Sequence, residues 1–149
     1  MLKESFTEVF ERDLLQLKKE IESYTDENKL WIVKEGISNS AGNLSLHLIG
    51  NLNHFIGVAL GDTGYIRNRD NEFSLKNIPK KELIESMEQT IVVVKNTLSK
   101  LVPADFEKNF PLEKHGKIVT TDFMLLHLVT HFNYHLGQVN YHRRMINEF

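Results

Sequence analysis

The sequence predicts an all-α protein, an antiparallel four-helix bundle with long connecting loops, formed as a single domain by residues 1–149. Hydrophobic residues recur at steps of three and four in four separate segments, which is typical of amphipathic helices. Only residues 30–33 have strand character, and no second strand exists to pair with them. The 149 residues are enough to bury a hydrophobic core without disulfides.

The four helices are predicted from their apolar faces and their end signals. In the first of them, for example, Phe6, Phe10, Leu14, Leu17 and Ile21 share one face. The helices are expected at about residues 2–24, 40–60, 79–101 and, beginning at Thr120 or Thr121, up to about residue 146.

The connections between these helices are predicted to be loops. Residues 30–33 are expected to pack Trp31 onto the bundle without forming a strand. The polar segment 61–78 and the segment 102–119 are both longer than most loops, and long loops are often functional. Two such connections indicate that the bundle does not have the simplest up-and-down arrangement.

Composition excludes several classes of protein. The formal net charge of −2 leaves no basic surface for nucleic acid, and no apolar run approaches the roughly 18 residues of a membrane span. The N-terminus does not resemble a secretory signal. Cysteine is absent, so disulfides, thiolate nucleophiles and cysteine metal sites are excluded. We therefore expect a cytoplasmic protein with a small-molecule partner.

Histidines follow the apolar faces of two predicted helices. His127, His131 and His135 are spaced four residues apart, His142 follows seven later, and together they cover about 80° of the last helix beside its apolar sector. On the second helix, His47 and His54 are seven residues apart next to leucines.

This placement is typical of a metal site. Two histidines at i and i+4 point at one ion, and a third from a facing helix gives three ligands and an open coordination position. Imidazole suits Zn, Ni, Cu or Fe(II). The alternative is that the histidines are core or interface residues satisfied by hydrogen bonds. Phe132 stands where a zinc protease of the H-E-x-x-H type needs its glutamate, and no Glu-x-x-His motif of a di-iron bundle occurs.

The segment LLHLVTHFNYHLGQVNYHRR resembles the last helix of the DinB-like superfamily, which includes the YfiT-like proteins regarded as metal-dependent hydrolases. In that superfamily an H-x-x-x-H pair is followed by Gly-Gln, here His131, His135, Gly137 and Gln138. Its second helix provides one more ligand, which HLIGNL places at His47. The stretch NLSLHLIGNLNHFIGVALGDTGYIRNRDNEF is similar to one branch of this superfamily.

The resemblance implies a four-helix fold, often a homodimer, with a divalent metal ion on His47, His131 and His135. Zn or Ni is the expected ion, with Fe or Mn as further candidates. Some members of the superfamily are S-transferases that use a low-molecular-weight thiol such as bacillithiol, mycothiol or glutathione. We therefore expect a thiol S-transferase or hydrolase that acts on a small molecule. The alternatives are a non-catalytic metal-binding or stress-response module and a bundle without metal.

Several polar residues are candidates for the surroundings of the metal. Asn51 and Gln138 lie one turn from expected ligands, so each can either orient a ligand or link two helices. His54 and His127 lie on the histidine faces, where they can line a pocket or be core residues; His127 is also a candidate general base.

The loop after the second helix offers Tyr65, Arg67 and Arg69 to the same pocket. Tyr65 is expected to cover part of it. The two arginines can grip a substrate carboxylate, although pairing with Asp70 and Glu72 inside the loop is the interpretation we favour.

Overall fold

A computed structural model describes residues 1–146, and each regular element in that range is a helix. The predicted all-α class is therefore confirmed. The α-helices are α1 (Leu2–Glu22), α2 (Ala41–Leu52), α3 (Arg69–Ser74), α4 (Lys80–Ser99), α5 (Pro103–Glu107) and α6 (Thr121–Ile146).

The apolar faces predicted from the sequence form one buried core. α1 packs against α4 and α6, and α2 packs against α6, α4 and α3. Leu14, Leu48, Leu98 and Leu125, one from each long helix, are almost completely buried. None of the helices described in residues 1–146 is both long enough and apolar enough to cross a membrane.

The second predicted helix changes its winding part-way along. α2 begins where the Ser40 side chain accepts a hydrogen bond from the Asn43 amide, as expected of a serine N-cap. After Leu52 the chain continues directly as a π-helix over Asn53–Val58. π-Helical turns are rare and are frequently found at functional sites.

The predicted loops contain three short helices, so the expectation of loop throughout was wrong in these segments. A 3-10 helix over Glu27–Trp31 includes the first two residues of the segment 30–33, and Trp31 packs onto the core as expected. The segment 61–78 contains α3, which starts where the Asn68 side chain caps the Asn71 amide. The segment 102–119 contains α5, which starts with a proline. Local capping contacts stabilise the starts of these helices. Helices of only one or two turns are too short to show a periodic pattern of apolar residues in the sequence.

Candidate metal centre

Three histidines from two helices meet beside the core. His47 lies in the middle of α2, and His131 and His135 lie one turn apart on α6. Each offers a ring nitrogen that lies within 4.8 Å of the ring nitrogens offered by the other two. His47 is buried, while the other two are partly exposed. The structure therefore brings together the three residues that the sequence singled out.

Hydrogen bonding fixes the ring of His47. Its Nδ1 lies 3.0 Å from Oε1 of Glu72, and since an ionised carboxylate only accepts, Nδ1 carries the proton. Nε2 then has a free lone pair, and it lies 3.1 Å from Nε2 of His131. In metal sites, a histidine ligand commonly donates from the ring nitrogen that does not bind the ion to a carboxylate, which we call its outer partner.

Glu72 is a buried carboxylate held by two neighbours. Arg67 donates from Nε and Nη2 to the two carboxylate oxygens of Glu72, both at a distance of 2.9 Å. Burial alone would raise the pKa of Glu72, but the hydrogen bonds from His47 and Arg67 and the charge of Arg67 outweigh it and lower the pKa. Glu72 is therefore ionised at neutral pH and oriented toward His47.

The backbone around Glu72 is fastened to α2 by Asn43. The side-chain amide of Asn43 donates to the carbonyl oxygens of Glu72 and Leu75, at 3.0 and 2.8 Å. Gly50, one turn after His47, has no side chain, and a Cβ atom there would collide with the Glu72 carboxylate. These contacts explain why the short helix α3 lies against α2.

His135 and His131 differ in their outer partners. Nδ1 of His135 lies 2.6 Å from Oε1 of Gln138, which leaves its Nε2 without a proton. Nδ1 of His131 is buried and has no hydrogen-bond partner among the described residues. Burial and the neighbouring His135 and His47 lower the pKa of His131 to about 4, so its ring is neutral at neutral pH.

This arrangement fits a divalent metal ion. Neutral imidazoles with free lone pairs are the ligands that Zn, Ni and similar ions accept. The facing Nε2 atoms of His47 and His131 are 3.1 Å apart, and two lone pairs at that distance repel unless a proton or a cation lies between them. Three protein ligands also leave one position open for a substrate.

Comparison with known protein families assigns the chain to a family. Residues 2–149 match the family described as "Protein of unknown function (DUF1572)". The chain belongs to the DUF1572 family. This is a DinB-like family, so the resemblance to the DinB-like superfamily is confirmed. A comparison with curated proteins finds no match.

A cavity of about 500 Å³ lies beside the three-histidine cluster, on the side of His47 and His131. Its walls come from α2, the π-helix, the start of α3 and the segment before it, the connection that precedes α6, and α6 itself. The predicted pocket residues in its lining are Asn51, Arg67, Arg69 and His127.

Other predicted site residues occupy different places. Gln138 is bonded to His135, whereas the Oδ1 atom of Asn51 has no partner among residues 1–146. Tyr65 is not part of the cavity lining, and neither is His54, which lies in the π-helix with its ring against Phe55. Burial, followed by the charge of Arg67, lowers the pKa of His54.

The predicted pairing of the two loop arginines with acids inside the loop is confirmed for one of them. Arg67 pairs with Glu72, but Arg69 has no acidic partner in the described part of the chain and lies over the ring of Phe73. His142, which shares the face of the ligands, is a core residue whose ring contacts the Tyr24 hydroxyl and the Ile32 carbonyl.

Sequence reasoning did not assign Glu72 its role as the partner of His47. No acid lies within one helical turn of the three histidines along the sequence, so this carboxylate comes from elsewhere in the chain. The signal that could have indicated this role is the presence of two acids, Asp70 and Glu72, in an unusually long polar segment that follows a proposed ligand helix. His115 was not assigned to the site either; it is exposed and lines the cavity.

Proposed function

We propose that this protein is a metal-dependent enzyme that acts on a small molecule at a divalent ion held by His47, His131 and His135, with thiol transfer as the preferred reaction and hydrolysis as the second. One observation carries the proposal: three histidines converge beside a cavity, and two of them have outer partners that leave Nε2 unprotonated. Three ligands with one open position are typical of catalytic metal sites.

The roles of the chain's own groups follow from their contacts. A divalent ion bound there supplies positive charge that lowers the pKa of a thiol or water in its open position. Glu72 holds the His47 ring in one orientation, and Arg67 holds Glu72. The buried side of the cavity, formed in part by Met124 and Leu128, excludes water from one flank of the reacting molecule.

Thiol transfer is preferred because the carboxylate that contacts the histidine cluster, Glu72, is not free to act as a base. Glu72 already accepts hydrogen bonds from His47 and Arg67, and its pKa is lowered, so it is a poor proton acceptor. His127 is the better proton acceptor, since it lines the cavity and its ring lies 6.1 Å from that of His131. Burial, with the charges of Lys114 and His115, lowers the pKa of His127 and keeps it neutral.

The test is a conjugation assay on protein purified without an affinity tag and loaded with Zn or Ni. It is incubated with glutathione, bacillithiol or mycothiol and an electrophile such as monochlorobimane. The loaded protein should exceed the rate of His135→Ala, while His115→Ala, which removes an exposed cavity histidine, keeps most of the activity. Equal rates for wild type and His135→Ala with every thiol would favour a non-catalytic metal-binding or stress-response module.

We further propose that the long helices form an antiparallel four-helix bundle and that the protein is a homodimer. The support for a dimer is an apolar stripe on the outer face of α6, made of Phe123, Leu126, Tyr134, Tyr141 and Met145, each about half exposed or more. These positions fall within about 100° of the helix circumference and run for about 33 Å. A second copy of the same stripe offers a self-complementary partner.

A further inference from the structure

The cavity beside the metal centre has a volume suited to a small molecule. Its volume of about 500 Å³ lies inside the usual range of ligand pockets, which is about 300–1,000 Å³. His47 and His131 are among its lining residues. A molecule bound here can therefore contact an ion on these histidines while the rest of its body lies in the cavity.

The charged groups of the cavity have an excess of positive charge. Arg69 and Lys114 line it, and neither has an ion-pair partner within residues 1–146. Glu113 is the one acidic residue among the lining residues of that range. Arg67 does not add to the excess, because both oxygens of Glu72 accept from it. Among the lysine, arginine and acidic side chains, Arg69 and Lys114 against Glu113 leave one net positive charge.

The rest of the lining favours a ligand that has an apolar body and a hydrogen-bond donor. Phe55, Met124 and Leu128 give the cavity an apolar side. Asn51 lines it as well, is only 7% exposed, and its Oδ1 atom has no partner among the described residues. An acceptor left unpaired in a buried position is unfavourable, so a ligand that donates to it is favoured.

We infer that this cavity binds a small carboxylic acid with an apolar body and an N–H or O–H donor, its carboxylate on Arg69 and Lys114 and its donor on Asn51. A single carboxylate matches the single net charge, and the planar guanidinium of Arg69 matches its geometry. The inference rests on the proposed function only for the end of the molecule that reacts at the metal. Binding of the acid itself requires only the cavity.

The experiment compares N-acetyl-L-leucine with its methyl ester by titration calorimetry, on zinc-loaded and on metal-free protein. The two probes share the apolar body and the N–H donor and differ in the carboxylate. The acid should bind about tenfold more tightly than the ester, as expected for charge-assisted hydrogen bonds. This preference should disappear in the double variant Arg69→Gln/Lys114→Gln. Lys81→Gln, which removes one exposed charge on α4, is the matched control and should leave the preference unchanged.

The inference is overturned if acid and ester bind equally, if neither binds to either form of the protein, or if the double variant keeps the preference. Zinc content is measured on the same samples. If the wild-type protein does not bind zinc but still prefers the acid to the ester, the proposed function is contradicted and the cavity inference is supported. If it binds zinc fully but shows no preference for the acid, the cavity inference is contradicted and the metal site of the proposed function is supported.

Discussion

The Glu72 carboxylate fills the space beside Gly50, next to the three-histidine cluster, that a Cβ atom on residue 50 would occupy. Gly50 lies one turn after His47 on α2, so the missing side chain lets the carboxylate approach the helix and reach the ring of His47. The glycine is therefore part of the site although it contacts no ion.

Replacing Gly50 with alanine should displace Glu72 and weaken metal binding. Loss of an outer partner typically costs about 10- to 100-fold in metal affinity, and overpacking costs about 1–3 kcal/mol of the free energy of unfolding. Competition with a chelator and urea unfolding measure the two effects. Gly137→Ala is the matched control, since a Cβ there meets nothing within 4 Å and should stabilise α6 by about 0.5–1 kcal/mol. Equal effects of the two variants would contradict the role of Gly50.

Removing the charge of Glu72 without changing its shape tests the same contact in a different way. Glu72→Gln should lower metal affinity about tenfold, because a neutral amide makes the His47 ring a weaker ligand. Isothermal titration with Zn is the measurement. The exposed Glu85→Gln on α4 serves as control and should bind like wild type. An unchanged affinity in Glu72→Gln would show that the carboxylate only holds α3 in place.

The ion should be dispensable for folding. His135→Ala should lose most of the bound metal, as measured by elemental analysis, while helix content by circular dichroism stays nearly unchanged. The reason is that the long helices are stabilised by an apolar core that the ligands border but do not form. A variant that is unfolded at room temperature would indicate a structural metal.

Acid should destabilise the metal-free protein, in part through His142. Burial lowers the pKa of His142, and the hydrogen bond to the Ile32 carbonyl offsets only part of that effect. In the unfolded chain the pKa is about 6.5, so the unfolded state binds more protons and stability falls as the pH drops below about 6.5. Urea unfolding at about pH 7.5 and about pH 5 measures the loss. His142→Gln should show a smaller loss, and an unchanged loss would assign it to the other histidines.

The apolar stripe of α6 should determine the oligomeric state. Tyr141→Glu places a charge within the stripe and should shift the protein from dimer to monomer in size-exclusion chromatography with light scattering. Val92→Glu makes the same change at an exposed position on α4 and should leave the mass unchanged. A wild-type monomer, or a dimer that survives Tyr141→Glu, would contradict the proposal.

The sequence was sufficient for the parts of the molecule that have a periodic pattern. The long helices follow from apolar residues that repeat with the helical period, and the same period aligned His131 with His135 on one face. The choice of His47 over His54 required the family resemblance. The structure separates these two residues by a change of winding: His47 lies in α2, and His54 lies in the π-helix that follows.

The parts that were missed depend on contacts between distant residues. Glu72 lies 25 residues from His47 in the sequence, in a helix of six residues whose length gives no periodicity. Its burial depends on the amide of Asn43, the guanidinium of Arg67 and the space at Gly50, none of which has a local signature. The π-helix was missed because its sequence is compatible with an ordinary α-helix.

The candidate site has one half that precedes residue 75 and another half on α6. The distance between them in the sequence determines when each half can assemble as the chain is synthesised. His47, Arg67 and Glu72 all precede residue 75, and their contacts close loops of 25 residues or fewer. His131 is 84 residues from His47, so its contact forms only after the last helix leaves the ribosome. The nascent chain can thus orient His47 before His131 and His135 have been synthesised. An ion that needs all three histidines can therefore bind only after α6 has been made.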